Sequence, residues 1–474
     1  MNPLLFTDPA FLFFFAPIVL TGYWIAPVSW RNGFLLIASM LLYAWGEGRY
    51  VAVLAGSIAI NWTFGLSIAR CERPRLRRLV LVIGVASNIG LLALFKYAPF
   101  FILNLDLLLN RLGIPRLEPT HLRLPIGLSF YTFMGISYLV DIFRRDLEKP
   151  SSLARVALFM TMFPHLIAGP IVRMTEIGSQ LGHRFWNSEG VAAGIRRFVI
   201  GLGKKMLIAN TLATAADAIF ALPPQQIPAS HAWLALVCYT LQIYFDFSGY
   251  SDMAIGLARM LGFQFPENFN YPYVAQSVTD FWRRWHMTLS AWLRDYLFFP
   301  LGVRGGRLQT IRNLFIVFFL CGLWHGAAYN FIVWGLWYGV LLSVEQLGLA
   351  KGLRMIPAPF RIAYTLAAVM CGWILFRSPT LHYALGFSKA LLGFGGGALP
   401  RDWIATQFIN PATYVAIAAG VVAAIPLKSF FAGAAPHWTP AARIAEFAAL
   451  SCVFIAVLAT AAGDTYNPFI YFRF

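Results

Sequence analysis

Apolar runs of about twenty residues, the length a membrane-crossing helix needs, recur along nearly the whole chain. They fall at 9–27, 33–47, 49–69, 79–97, 124–143, 155–172, 192–220, 231–262, 312–344, 361–377, 411–427 and 441–462. Short polar or basic stretches separate them. This pattern predicts an all-α, polytopic membrane protein of about eleven spans. The 155–172 run carries Pro164, Gly169 and Pro170 with His165 among them. It is expected to be broken or re-entrant, which is tolerated only inside protein or beside a water-filled cavity. The 100–112 run is too short to cross and is expected to lie flat or re-enter. The opening 11–27 run lacks a basic leader and a small-residue cleavage site, so it reads as a retained first span.

Basic residues orient this pattern. Arg70, Arg73, Arg75, Arg77 and Arg78 crowd one loop, and Arg144, Arg145 and Lys149 another. Such loops remain on the cytoplasmic side. Three spans precede the first loop and two separate it from the second. Both therefore fall on one side, with the N-terminus extracytoplasmic.

Composition strengthens the membrane reading. Of 474 residues, 59% are hydrophobic and 12% charged, against about 45–50% and 25% in soluble domains. Mean hydropathy is +0.66. The 37 Lys and Arg against 20 Asp and Glu leave a net charge of +17. Scattered in loops, that charge suits topology rather than nucleic acid. Disorder and a disulfide scaffold are also excluded. Five cysteines lie apart without a CxxC or zinc spacing, so no metal site is expected.

Three stretches carry candidate chemistry. The first is 264–311, where a polar, proline-broken loop precedes SVTDFWRRWHMTLSAWLRDYLFF. Phe281, Trp285, Leu289 and Trp292 recur at helical spacing, with Asp280, Arg283, Arg284, Arg294 and Asp295 on the other side. This predicts an amphipathic helix over 277–299, resting on headgroups or tucked into the cytoplasmic mouth of the bundle. His286 sits among its tryptophans. The second stretch is CGLWHGAAYNFIVWGLWYG, in a long apolar segment taken as one span. His325 lies a dozen residues (~18 Å at helical rise) into the apolar segment that starts at Asn313, after the basic loop around Arg304 and Arg307. An ionisable group at that depth is a candidate functional residue, with helix packing the alternative. The third is YFDFSGYSDMAIGLARMLGF. Asp246 and Asp252 need partners there, for which Arg259 or the basic helix is available. A substrate lining and a structural polar network remain equal readings.

Taken together, FPHLIAGPIVR, QIYFDFSGYSDMAIGLARMLGF, NFNYPY, DFWRRWHMTLSAWLRDYLFFPLG and LWHGAAYNFIVWG resemble the membrane-bound O-acyltransferase family. More narrowly they resemble its bacterial alginate O-acetyltransferase branch, which the opening FTDPAFLFFFAP and the closing FIYFRF also fit. The resemblance implies one membrane domain over 1–474, a ring of helices around a central tunnel. N-terminal helices would occupy 1–150, a catalytic core 151–345 and C-terminal helices 346–474. It implies an acyltransferase of the bacterial inner membrane. An acetyl group would pass from a cytoplasmic thioester, acetyl-CoA, to an extracytoplasmic polysaccharide, directly or through a periplasmic acetyltransferase. His325 and His286 occupy the family's two histidine positions and are the catalytic candidates. Arg283, Arg284, Trp285, Asp246, Ser248, Asp252, Trp324 and Asn330 are the candidates for donor or substrate binding. No permanently bound cofactor and no nucleic acid is expected, and membrane lipids surround the chain. D-alanyl transfer from a carrier protein to a cell-wall polymer, and a non-enzymatic lipid or glycan transporter, are the rival readings.

Overall fold

The computed structural model describes residues 4–112, 122–147, 150–184, 186–302, 304–395, 397, 399–400, 403–427 and 439–463. Lys149 and the closing FIYFRF lie outside the described residues. All regular structure among them is helical. The chain forms two compact units. One comprises Met1–Ile195 with Ala254–Pro266, the other Arg196–Met253 with Glu267–Phe474.

In the first unit a π-helical turn, Phe11–Phe15, leads into α1 (Ala16–Ile25), followed by α2 (Arg31–Glu47), α3 (Val51–Arg70), α4 (Pro74–Lys96) and α5 (Ala98–Arg111). After these come α6 (Leu128–Arg144), α7 (Leu153–Thr161) and the single turns α8 (Phe163–Leu166) and α9 (Met174–Ile177). Glycines let α3, α4 and α6 approach closely. A Cβ on Gly65 would meet Tyr138 at 2.8 Å, and one on Gly84 would meet Leu139 at 2.9 Å. Asn61 and Asn88 exchange side-chain hydrogen bonds of 3.0 and 2.9 Å between α3 and α4, the kind of polar link that joins apolar helices. Arg77 donates to the carbonyls of Ile142 and Phe143 at 3.0 and 2.8 Å. It thereby satisfies acceptors that the end of α6 leaves open, and brings the two arginine-rich loops to the same end of this bundle. The 155–172 run is broken as expected: helix stops at Met162 and resumes for one turn, and residues 158–172 are all buried. His165 bonds through Nε2 to the carbonyl of Phe159 at 2.9 Å and stacks on Phe265 at 5.0 Å. The short 100–112 run forms α5, which has no buried residue.

The helix α10 (Ser188–Gly203) continues through a π-helical turn, Lys204–Ala209, into α11 (Asn210–Phe220). Next come α12 (Ala229–Met260), α13 (Val278–Arg284), α14 (Met287–Leu293) and another π-helical turn, Arg294–Phe298. Then follow α15 (Gly306–His325), α16 (Tyr329–Val344), α17 (Ala350–Leu353), α18 (Ala358–Arg377) and α19 (Leu381–Leu391). The last are α20 (Ala405–Phe408), α21 (Pro411–Ala423) and α22 (Pro440–Gly463). Six helical runs among the described residues are long and apolar enough to cross a membrane: Arg31–Arg70, Pro74–Lys96, Gly306–His325, Tyr329–Leu353, Ala358–Arg377 and Pro440–Gly463.

Three expectations change. The 312–344 segment is not one span. Helix α15 ends at His325, Gly326 and Ala328 are extended, and α16 starts at Tyr329. Small residues allow α15 and α16 to touch backbone to backbone. A Cβ on Gly335 would run into the carbonyl of Phe318 and lie 3.2 Å from Cα of Gly322. The 411–427 run holds a helix of only 13 residues, about 20 Å at helical rise and short of a ~30 Å core. The single helix expected over 277–299 is two short helices with a break at Trp285–His286.

Candidate active site

Both candidate histidines belong to the second unit. His286 is set by the break between α13 and α14. Ser277 caps α13, accepting from the Asp280 amide at 3.0 Å. The buried Glu345 carboxylate accepts from the amides of Val278 and Thr279 at 2.6 and 2.9 Å and from the Thr279 hydroxyl at 2.6 Å. It thus satisfies the open donors of the first turn. At the other end the chain turns through His286 itself, at φ 42° and ψ 55°. A left-handed backbone is uncommon outside glycine, although histidine visits it more often than most residues. Two main-chain bonds to the 268–270 loop impose it: Met287 donates to the Asn268 carbonyl and Asn270 to the Arg284 carbonyl, each at 2.9 Å.

The His286 side chain is 1% exposed. Its ring meets Phe247 of α12 edge-on at 4.6 Å and lies 6.5 Å from the Trp324 ring. Nδ1 is 3.0 Å from Oδ1 of Asn268. Oδ1 also accepts from the Thr288 hydroxyl at 2.9 Å, while Asn268 Nδ2 donates to Ser251 Oγ at 3.0 Å. Among the described residues Nε2 has no partner. Burial pushes the imidazole down to about 3, because the charged form loses its hydration.

His325, the last residue of α15, is half-buried. Its ring is met edge-on by Trp334 of α16 at 4.9 Å and Phe376 of α18 at 5.2 Å, and by its neighbour Trp324 at 4.8 Å. Trp324 therefore stands beside both imidazoles. The break after His325 frees this ring from a continuous helix and lets aromatic walls from two other helices hold it.

The remaining sequence candidates separate. Trp285 is buried against Trp373, Phe269 and Phe281 at 4.9, 5.1 and 5.5 Å, within an aromatic core. Asn330 spends its amide on the carbonyls of Ser378 and Leu375, at 2.9 and 3.3 Å. Ser248 is buried, and its hydroxyl has no partner among the described residues. Arg284 pairs with Asp280 at 2.9 Å, as its i, i+4 spacing suggests, whereas Arg283 is exposed.

The two aspartates take partners that the sequence reading missed. Asp246 pairs with Lys205, their side chains 2% and 5% exposed. Asp252 takes Lys204 at 2.7 Å and Arg197 at 2.9 Å. Arg197 reaches on to Glu267 with bonds of 2.6 and 2.5 Å. Arg259, one of the two expected sources, is exposed. The cations come from α10 and the π-helical turn after it. The available signal was Lys204 and Lys205 inside an otherwise apolar run. Asn268 was also missed as a member of the site, although its loop stood out as polar.

The family model for the membrane-bound O-acyltransferases matches residues 138–376, half of the chain, and spans both histidines. A probable alginate O-acetylase of Pseudomonas putida is 39% identical over 99% of this chain and 100% of its own length. A probable alginate O-acetylase of Pseudomonas aeruginosa is 44% identical over 83% of this chain and 75% of its own. A peptidoglycan O-acetyltransferase of Helicobacter pylori is 35% identical over 86% and 83%. With its helices and long apolar runs already matching that description, the chain belongs to the membrane-bound O-acyltransferase family and is a multi-pass membrane O-acyltransferase.

Proposed function

We propose that this chain takes an acetyl group from acetyl-CoA at the cytoplasmic face and delivers it for O-acetylation of an extracytoplasmic polysaccharide, directly or through a periplasmic acetyltransferase. The relatives named for alginate and for peptidoglycan support a polymer acceptor. The observation that carries the chemistry is the pair of imidazoles sharing Trp324. The membrane is the bacterial inner membrane and the N-terminus is periplasmic. The clasp of Arg77 on the end of α6 supports one cytoplasmic end for both basic loops.

A thioester is already activated, so the demand falls on the acceptor hydroxyl. His325 accepts the hydroxyl proton as the new C–O bond forms and the C–S bond breaks. The proton then passes to the leaving thiolate. Such base catalysis contributes typically ~10²–10⁴-fold. His286, neutral through burial, relays the proton. With Nδ1–H on Asn268, the neutral ring offers only a lone pair at Nε2, which takes up the proton and then returns it from the same atom. That favours the relay over orienting a donor carbonyl. Arg283 meets the phosphates of the donor, a charge-assisted contact suited to guanidinium. Acetyl-CoA is a substrate, and the proposal needs no resident cofactor.

The test uses the purified full chain in lipid vesicles with labelled acetyl-CoA and polysaccharide. Label is followed onto polysaccharide, protein and released acetate. His325→Ala is expected to abolish transfer while the protein still elutes as a folded species. Wild-type labelling by that variant would remove His325 from catalysis. Transfer of carrier-bound D-alanine, with none from acetyl-CoA, would overturn the acetyl reading.

A further inference from the structure

Asn268 joins three elements through one side chain. Its oxygen receives the Thr288 hydroxyl at 2.9 Å and the Thr288 backbone N–H at 3.4 Å. A backbone N–H can only donate, so the amide atom facing it is the oxygen. The same oxygen lies 3.0 Å from Nδ1 of His286. An oxygen acceptor requires Nδ1 to carry the proton, and a neutral imidazole then holds a lone pair on Nε2. The amide nitrogen is anchored on Ser251 of α12 at 3.0 Å. The neighbouring residues Asp252 and Glu267 are tied together by Arg197. The loop is thus fastened on both sides of the amide.

We propose that Asn268 is a positioning residue for His286, fixing the Nδ1–H tautomer so that Nε2 is the atom available to accept a proton. The inference rests on the proton-handling role given to His286 above. A wrong tautomer presents a donor where the reaction needs an acceptor, and the histidine then fails without leaving its place.

The experiment compares wild type, Asn268→Leu, Asn268→Asp and His286→Asn as full-length protein in vesicles with acetyl-CoA. Asn268→Leu is expected to lower kcat at least about 10-fold and up to ~10⁴-fold, the loss that a wrong histidine tautomer produces, and to leave KM for acetyl-CoA unchanged. Asn268→Asp still accepts from Nδ1–H and is expected to recover most of kcat. Ser251 can turn its hydroxyl to donate to the new carboxylate, so the link to α12 is kept in that variant. The acid limb of the kcat–pH profile is therefore read as well, which a carboxylate held on Nδ1 moves to higher pH and a purely structural asparagine leaves in place. If Asn268→Leu does not yield folded protein, Asn268→Ser, too short to reach the imidazole, is compared with Asn268→Asp instead. Wild-type kcat in Asn268→Leu, or in Asn268→Ser where that variant replaces it, together with an inactive His286→Asn, overturns the inference alone. A fully active His286→Asn removes the role on which it rests.

Discussion

The contact between α15 and α16 gives a quantitative route from packing to catalysis. Gly335 is the tightest point. A methyl added there runs into the Phe318 carbonyl and lies 3.2 Å from Cα of Gly322, where carbon atoms prefer about 3.5–4.0 Å. The carbonyl overlap sets the scale: Gly335→Ala must push the helices apart by roughly 1 Å or more, at about 3 kcal/mol, the upper end of the usual overpacking cost. About 1 kcal/mol returns from the higher helix propensity of alanine. The displacement falls on α15 between Phe318 and Gly322, one to two turns before His325. A shift near 1 Å at a reacting group costs up to ~10²-fold in rate, so kcat should fall about 10–100-fold, with a smaller loss of stability. Gly90→Ala is the control, because nothing lies within 4 Å of its added Cβ. The assay pairs labelled acetyl transfer with a melting curve in detergent. Gly335→Ala with the kcat and the melting temperature of wild type would refute the reasoning, whatever Gly90→Ala does.

Other outcomes follow from charge and burial. The folded-state pKa of His286 is depressed to about 3, so the unfolded chain binds the extra proton below about 6.5. Stability is then lost as pH falls through that value, by about 2 kcal/mol between pH 7.5 and 5. His286→Asn should flatten the pH dependence of melting over that window, and equal slopes would count against a buried neutral imidazole. Lys205→Met leaves the Asp246 carboxylate buried without its cation and should cost about 3–5 kcal/mol, read as a large drop in melting temperature. Pairing it with Asp246→Asn should recover much of that loss. Arg283→Gln should raise KM for acetyl-CoA several-fold at constant kcat, and an unchanged KM would assign Arg283 to lipid headgroups.

Hydropathy made the helical class and most of the long segments legible, because lipid demands apolar length whatever the tertiary partners. It missed the turn after His325. That turn is built from Gly326, Ala327 and Ala328, with no charge or proline, so an apolar count runs straight through it. It also missed the break at His286. The left-handed residue is not a glycine, and loop bonds from 268 and 270 impose it. The carboxylates were visible as misfits in apolar runs, but their partners were not. Lys204, Lys205 and Arg197 lie about forty to fifty-five residues away, and only the packing of α10 against α12 brings them in. Family blocks pointed to both histidines, yet Asn268 acts through geometry that no spacing reveals.

The backbone at residue 286 also decides how that position can be interrogated. Removing the imidazole with alanine makes two changes at once. It deletes the ring, and it asks a residue with little tolerance for φ 42° to hold it, at a cost of about 1 kcal/mol. An inactive alanine variant therefore confounds lost chemistry with a relaxed chain reversal. Asparagine, which visits this region readily, separates the two, and is the informative replacement wherever a relative carries the same reversal.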